Sequence, residues 1–278
     1  MKTLEALATD ALLTVESGFY DSLETPSSLA ATGKSLVDVV SENRGRALVC
    51  EVKFASPSAG DIRGKGLPAE IAKEMEAGGA MALSVLTEPK NFKGSVSNLI
   101  SVRSVTSLPI IMKDIVVSKE QIIAARRLGA SAVLLIEEIF TRKQTKGGLS
   151  LNEAVNVARD CGVNSIVETH TKVGLEIVSK VDCDIIGLNN RDLNTFKTNI
   201  ETTVDLLNGF VPRRSGNRPL PLIMSESGYE SPEDILKLKE RVSLNGSLQP
   251  DAFLIGTSIM KSDNIREKVQ SFTRVLLS

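Results

Sequence analysis

The chain is 278 residues long, 42% hydrophobic and 24% charged, with a formal net charge of −1, no Trp and an aromatic share of 4%. This is the composition of a soluble globular protein with an aliphatic core, and it excludes a globally basic binder of nucleic acid or anionic membranes, so that any anion must be bound locally. Three cysteines, Cys50, Cys161 and Cys183, are odd in number, far apart and without a CxxC spacing, which argues against a disulfide framework or a zinc site and fits a reducing cytoplasm.

The first segment, "MKTLEALATDALLTVES" (1–17), reads as an amphipathic helix interrupted by Glu5, Asp10 and Glu16, and no stretch of 18 apolar residues follows it. The expectation is a chain neither exported nor membrane-spanning, with residues 1–45 as a helical extension ahead of the first strand. From there a phrase recurs in which a helix-like segment ends in Gly or a small residue and a short β-rich run follows. The runs are "ALVCEVKF", "AMALSVL", "LPIIMKD", "SAVLLIEE", "NSIVET", "DIIGLNN", "LPLIMSES" and "DAFLIG". Unbroken Val/Ile/Leu runs are what parallel strands covered on both faces require, and Gly suits the left-handed residue that closes a helix.

Strand starts near residues 48, 81, 108, 131, 164, 184, 221 and 252 leave room for a crossover helix in each repeat. "SKEQIIAARRLGA" and "SPEDILKLKERV" have helical spacing and open on an N-capping Ser. Eight such units predict an α/β fold, a (β/α)8 TIM barrel with an N-terminal helical extension, forming a single domain over 1–278. An open doubly wound sheet is the alternative, but no GxGxxG follows the first strand. "TRKQTKGGLS" (141–150) and "RRSGNRP" (213–219) read as solvated loops, and "GDIRGKG" (60–66) as a flexible basic loop rather than a nucleotide P-loop.

Polar residues fall at the ends of these strands: Glu51 and Lys53 at the first, Lys113 at the third, Glu137 at the fourth, Glu168 at the fifth, Asn189 with Arg191 at the sixth, and Glu226 with Ser227 at the seventh. Residues two apart on a strand share a face, and the C-terminal strand ends of a barrel converge on one rim, where barrel enzymes keep their chemistry. Lysines and carboxylates at one mouth would compensate each other's burial and offer acid and base together. Partial desolvation is expected to lower the lysines and raise the glutamates toward neutrality. Small residues at "SPS" after the first strand, "SESG" at the seventh and "IGTSIM" at the eighth suggest backbone amides close to a phosphate. The single histidine, His170, reads as a loop residue, and no metal cluster is apparent.

At these residues the chain resembles the indole-3-glycerol phosphate synthase family. The likeness runs from about residue 47 to 262 through "EVKFASPSAGDI", "LSVLTEPKNFKGS", "LPIIMKD", "GASAVLLI", "VETHT", "IGLNNRDL", "SESG" and "IGTSIM", and the N-terminal extension also fits. The resemblance implies closure of 1-(2-carboxyphenylamino)-1-deoxyribulose 5-phosphate to indole-3-glycerol phosphate, with loss of carbon dioxide and water and with no cofactor. It implies Lys113 as the first acid, Glu168 as general base, and Glu51 and Lys53 as groups that place and exchange protons. Asn189, Arg191 and Glu226 would orient substrate groups or catalytic carboxyls, with Ser227 beside them, while Ser56, Gly228, Gly256 and Ser258 match phosphate positions and Phe92 a ring-contacting aromatic. Phe54, Ala59 and Ile115 depart from the family pattern and weaken the expected grip on the anthranilate ring. The implied partner is a small phosphorylated molecule, with no nucleic acid, no membrane and no metal, and the expected state is a cytoplasmic monomer.

The residues alone leave other readings open. A strand-end lysine could form a Schiff base, as in an aldolase. A phosphosugar isomerase lacks its expected cysteine–acid pair and shorter chain here. A non-catalytic phosphate-binding barrel is disfavoured because the lysines and glutamates are all present.

Overall fold

The computed structural model describes residues 3–21, 34–56, 60–64, 66–212 and 219–278. Eight parallel strands close into a barrel: β1 (Ala47–Val52), β2 (Ala82–Leu86), β3 (Ile110–Lys113), β4 (Ala132–Ile136), β5 (Asn164–Thr169), β6 (Ile185–Asn189), β7 (Leu222–Glu226) and β8 (Ala252–Ile255), with β1 paired to both β2 and β8. Nearly every strand residue is buried, because the barrel interior covers one face and the helices the other. The chain therefore has the (β/α)8 TIM-barrel fold its strand spacing predicts. The predicted starts agree to within two residues.

The crossover helices follow their capping signals. In α5 (Lys119–Arg127) the Ser118 side chain accepts from the Glu120 amide, and Gln121 reaches back to the Ser118 amide at 3.2 Å. In α10 (Pro232–Leu244) Asp234 accepts from the Ser231 amide at 2.9 Å, and Pro232 occupies the first turn, where its missing N–H costs nothing. Both serines are the ones the sequence marks as caps. Most of "RRSGNRP" lies outside the described residues. The "GDIRGKG" loop is better anchored than expected, since the Arg63 guanidinium donates to the carbonyls of Met260 and Ser262 at 3.0 and 2.9 Å.

Among the described residues, two helices precede the barrel and attach to opposite ends of it. Helix α2 (Leu36–Glu42) sits at the end where strands begin: Val37 N–H donates to Asn164 Oδ1 at 3.3 Å, and beyond the helix Gly45 N–H donates to Asp251 O at 2.9 Å. Helix α1 (Leu4–Glu16) lies at the opposite end. A 13-residue helix is marginal by itself in water, but Leu4, Leu7, Ala8, Ala11 and Val15 are buried in the core, each large aliphatic contributing about 1.5–3 kcal/mol. Docking, not helix propensity, holds α1 in place.

Candidate active site

The register sets the rim. Leu86 pairs with Lys113, Ile136 with Glu168, and Asn189 with Glu226, so the third, fifth, sixth and seventh strand ends come level. Lys113 Nζ lies 2.9 Å from Glu226 Oε2 and 3.2 Å from Glu168 Oε2. On the first strand, Lys53 Nζ pairs with the Glu51 carboxylate, so the two charges quoted in "EVK" face the same side and neutralise each other. Glu51, Lys53, Lys113, Glu168, Asn189, Arg191 and Ser227 all line one pocket at the mouth. Glu226 is fully buried directly below it, gripping Lys113 from beneath.

Two residues shape this cluster by lacking a side chain. Gly187 stands opposite Glu168 in the register, and a Cβ there would lie 2.4 Å from Glu226 Oε1. At Gly256 a Cβ would lie 2.3 Å from Glu51 Oε2 and 2.9 Å from Glu51 Cβ. Both glycines leave the space that a catalytic-face carboxylate fills.

The electrostatics correct the simple desolvation expectation. Burial alone would lower Lys113, but Glu226, Glu168 and Glu51 together outweigh it and hold the ammonium above the ordinary lysine value. Burial alone would raise Glu51, yet Lys53, Lys113 and Arg191 hold it below the usual carboxylate range. Glu226 follows the expectation: burial and the neighbouring Glu168 raise it to about 8, against the pull of Lys113. The rim therefore carries a persistent ammonium, an ionised Glu51 and a carboxyl that keeps its proton near neutrality.

Because Glu226 rises from 4.5 to about 8, the folded chain holds a proton between those values that the unfolded chain has released. Stability contributed by this group is therefore largest below 4.5 and falls as pH rises toward 8. Glu226→Gln is expected to flatten that decline, read as urea midpoints across the window. A wild-type midpoint that rises through it would contradict the assignment.

Glu137 does not join the cluster. It is the first residue of the short helix α6 (Glu137–Thr141), and its carboxylate turns toward the first turn of the helix that follows β5 (Lys172–Val178), where Oε2 would lie 2.6 Å from a Cβ on Gly174. Its strand-end position is real, but the chain turns there before the side chain can point inward. His170 is a loop residue as expected, its Nε2 3.5 Å from Asp192 Oδ1. Cys50 and Cys183 are buried thiols, and Cys161 caps the end of helix α7 (Leu151–Asp160). Among the described residues no group of three or more His, Cys, Asp or Glu is arranged for a metal ion.

The pocket's apolar wall comes from Leu4, Leu7, Leu86, Phe92, Ile115, Leu134, Ile136, Leu193 and Phe196. Ile115, a departure from the family pattern, is thus part of the wall, while Ala59 lies outside the described residues. Phe92 is presented by Glu88, whose buried carboxylate accepts from the amides of Asn91 and Phe92 at 2.7 and 3.0 Å. A second concavity shares Glu51, Lys53, Arg191 and Ser227 and continues over Gly228, Gly256 and Ser258. Ser258 spends its hydroxyl on the Tyr229 carbonyl at 2.6 Å. Ser56 lines the apolar-walled pocket instead, and the other two residues of "SPS" lie outside the described residues.

Sequence reasoning missed what α1 does here. Leu4 and Leu7 supply wall, and Tyr20, just past the helix, donates to Asp114 Oδ2 at 2.8 Å. Asp114 follows Lys113, accepts also from the Thr87 hydroxyl and the Ile115 amide, and is raised to about 6 chiefly by burial. The i, i+3 stripe of Leu4 and Leu7 signals a buried helix face, but nothing local says which surface buries it. Tyr20→Phe removes one donor from a buried carboxylate and is expected to cost about 1–3 kcal/mol, read by chemical denaturation; an unchanged midpoint would contradict this.

This geometry agrees with the comparisons. The family described as indole-3-glycerol phosphate synthase matches residues 8–272. Similar curated proteins of that name include one from Caldanaerobacter subterraneus subsp. tengcongensis, 41% identical over 81% of this chain and 80% of its own. Another, from Methanocaldococcus jannaschii, is 41% identical over 81% and 77%. Among solved structures, 3-hexulose-6-phosphate synthase from Salmonella typhimurium superposes with a TM-score of 0.61 at 12% identity, over 83% of this chain and 98% of that one. The tryptophan synthase alpha subunit from Legionella pneumophila gives 0.57 at 12%, over 86% and 96%. The structural likenesses speak to the barrel alone. The sequence relationship spans the segments that carry the lysine–carboxylate rim, and by it the chain belongs to the indole-3-glycerol phosphate synthase family.

Proposed function

We propose that the chain converts 1-(2-carboxyphenylamino)-1-deoxyribulose 5-phosphate to indole-3-glycerol phosphate, a step of tryptophan biosynthesis. The observation that carries this reading is the Lys113 ammonium held between Glu168 and Glu226 at the floor of an apolar pocket that opens beside a small-residue concavity. An aromatic ring fits the first space and a phosphate the second.

In ring closure the aromatic carbon bearing the carboxylate bonds to the ketone carbon, and the ketone oxygen needs a proton as its charge develops. Lys113 supplies it; its neighbours keep it protonated until a base as strong as an alkoxide forms. The carboxylate then leaves as carbon dioxide and returns its electron pair to the ring. The new hydroxyl leaves as water when an acid protonates it and a base removes a proton from the ring skeleton. Glu168 is the base, and the Lys53–Glu51 pair places and exchanges protons during closure or dehydration.

Asn189 accepts from the Arg191 amide at 2.9 Å, so these two act as one orienting unit with Ser227 at the rim, and Glu226 orients Lys113 from below. Phe92 supports the anthranilate ring, and Ser56, Gly228, Gly256 and Ser258 the phosphate end. The reading needs no cofactor or metal.

The domain runs over 1–278 with 1–45 as its extension, a reading supported by α1 and α2 sharing the barrel core. The chain is read as a cytoplasmic monomer: an odd count of three cysteines suits a reducing compartment, and a closed barrel offers no sheet edge for pairing. Among the described residues no helix is long and apolar enough to cross a membrane.

Incubating the folded chain with the substrate should generate indole fluorescence, and no turnover would reject the assignment. If borohydride with a keto-phosphate trapped a covalent adduct, a Schiff-base reaction would replace it. Sedimentation would read the oligomeric state.

A further inference from the structure

The Asn190 side chain is fully engaged beside the site, yet it lines neither concavity. It is 1% exposed. Its Nδ2 donates to the Ser227 carbonyl at 3.0 Å and to Ser225 Oγ at 3.3 Å, and its Oδ1 accepts from Thr203 N and Oγ1 at 3.0 and 2.8 Å. Both donors and both lone pairs of the amide are therefore used, leaving nothing for a ligand. Around it the hydroxyls of Ser225, Thr203 and Tyr229 interlock at 2.6–2.7 Å.

The residue it holds is under conformational constraint. Ser227 has φ +70 and Gly228 φ +89, two consecutive left-handed positions, the first occupied by a residue type that seldom adopts it. Ser227 spends its own N–H on the Leu254 carbonyl at 3.1 Å, whereas the Gly228 N–H has no acceptor among the described residues. A turn of this shape is the kind that directs backbone amides at an anion. Releasing the Ser227 carbonyl would let that residue relax to the right-handed side and rotate the Gly228 amide away.

We propose that Asn190 is a positioning residue for anion binding, gripping the Ser227 carbonyl so that the Gly228 amide faces the phosphate of the substrate. The proposal rests on the phosphate end assigned under the proposed function. It predicts a dependence on Ser227 in particular, since glycine takes a left-handed conformation without help.

The experiment is a double-mutant cycle on the full chain, measuring inorganic phosphate binding by calorimetry for wild type, Asn190→Ala, Ser227→Gly and the double variant. Asn190→Ala should weaken phosphate about tenfold in the wild-type background but only about twofold beside Ser227→Gly, because the backbone no longer needs holding. In steady state the single variant should raise KM by a similar factor and leave kcat within about threefold. Equal penalties in the two backgrounds would overturn the proposal, marking Asn190 as scaffold only. Should Asn190→Ala not fold, Asn190→Ser enters the same cycle. Failure of wild type to bind phosphate would instead reject the phosphate end, and this inference with it.

Discussion

Lys113→Met is expected to lower kcat by about 10²–10⁴-fold while leaving KM nearly unchanged. Methionine keeps the length and apolar stem of lysine but carries no proton, so the change removes an interaction that strengthens only as the ketone oxygen becomes an alkoxide. The same substitution strips Glu226 and Glu168 of their shared cation. Losing one partner of a buried ion pair ordinarily costs about 3–5 kcal/mol. Here Glu226, already raised to about 8, escapes much of that penalty by keeping its proton over a wider pH range. Activity should therefore collapse far more than stability, and steady-state fluorescence beside urea denaturation reads the two separately. A variant retaining a tenth of wild-type kcat would remove Lys113 from the chemistry.

Gly256→Ala is expected to reduce kcat/KM by about 10²-fold, the scale of effect that follows when reacting groups shift by about 1 Å. Its Cβ would meet Glu51 Cβ at 2.9 Å as well as the carboxylate, so rotating the side-chain end does not relieve the clash. Either β1 or the β8 loop must move. Movement of β1 shifts the Lys53–Glu51 pair relative to Lys113 and Arg191, and movement of the loop displaces Gly256 itself from the second concavity. Overpacking of this kind also costs about 1–3 kcal/mol of stability. The kinetics should show raised KM together with lowered kcat, unlike the Lys113 variant. Unchanged kinetics would mean that Glu51 has room the structure does not show.

Much of the architecture was legible because it is written in local patterns. Strand runs such as "AVLLI" are apolar throughout because both faces are covered, and Ser118 and Ser231 mark helix starts because a side-chain oxygen can satisfy an orphan amide. The strand-end charges could be found by counting to the end of each apolar run. Glu137 shows the limit of counting: it ends its run as the others do, but a helix begins at that residue and carries the carboxylate away.

The sequence by itself determined the barrel and the acids and bases at its rim, since each follows from residue type, period and spacing along the chain. Only the tertiary structure decided that Lys113 is drawn to Glu226 and Glu168 while Lys53 answers to Glu51, and hence that Lys113 is pushed up rather than down. It alone placed Leu4, Leu7 and Tyr20 of the extension against the mouth, and gave Asn190 its grip on Ser227. The physical reason is range: hydrophobic period and capping act over a few residues, whereas charge coupling and hydrogen-bond partnership depend on distances between atoms far apart in the chain, which exist only once the barrel has closed.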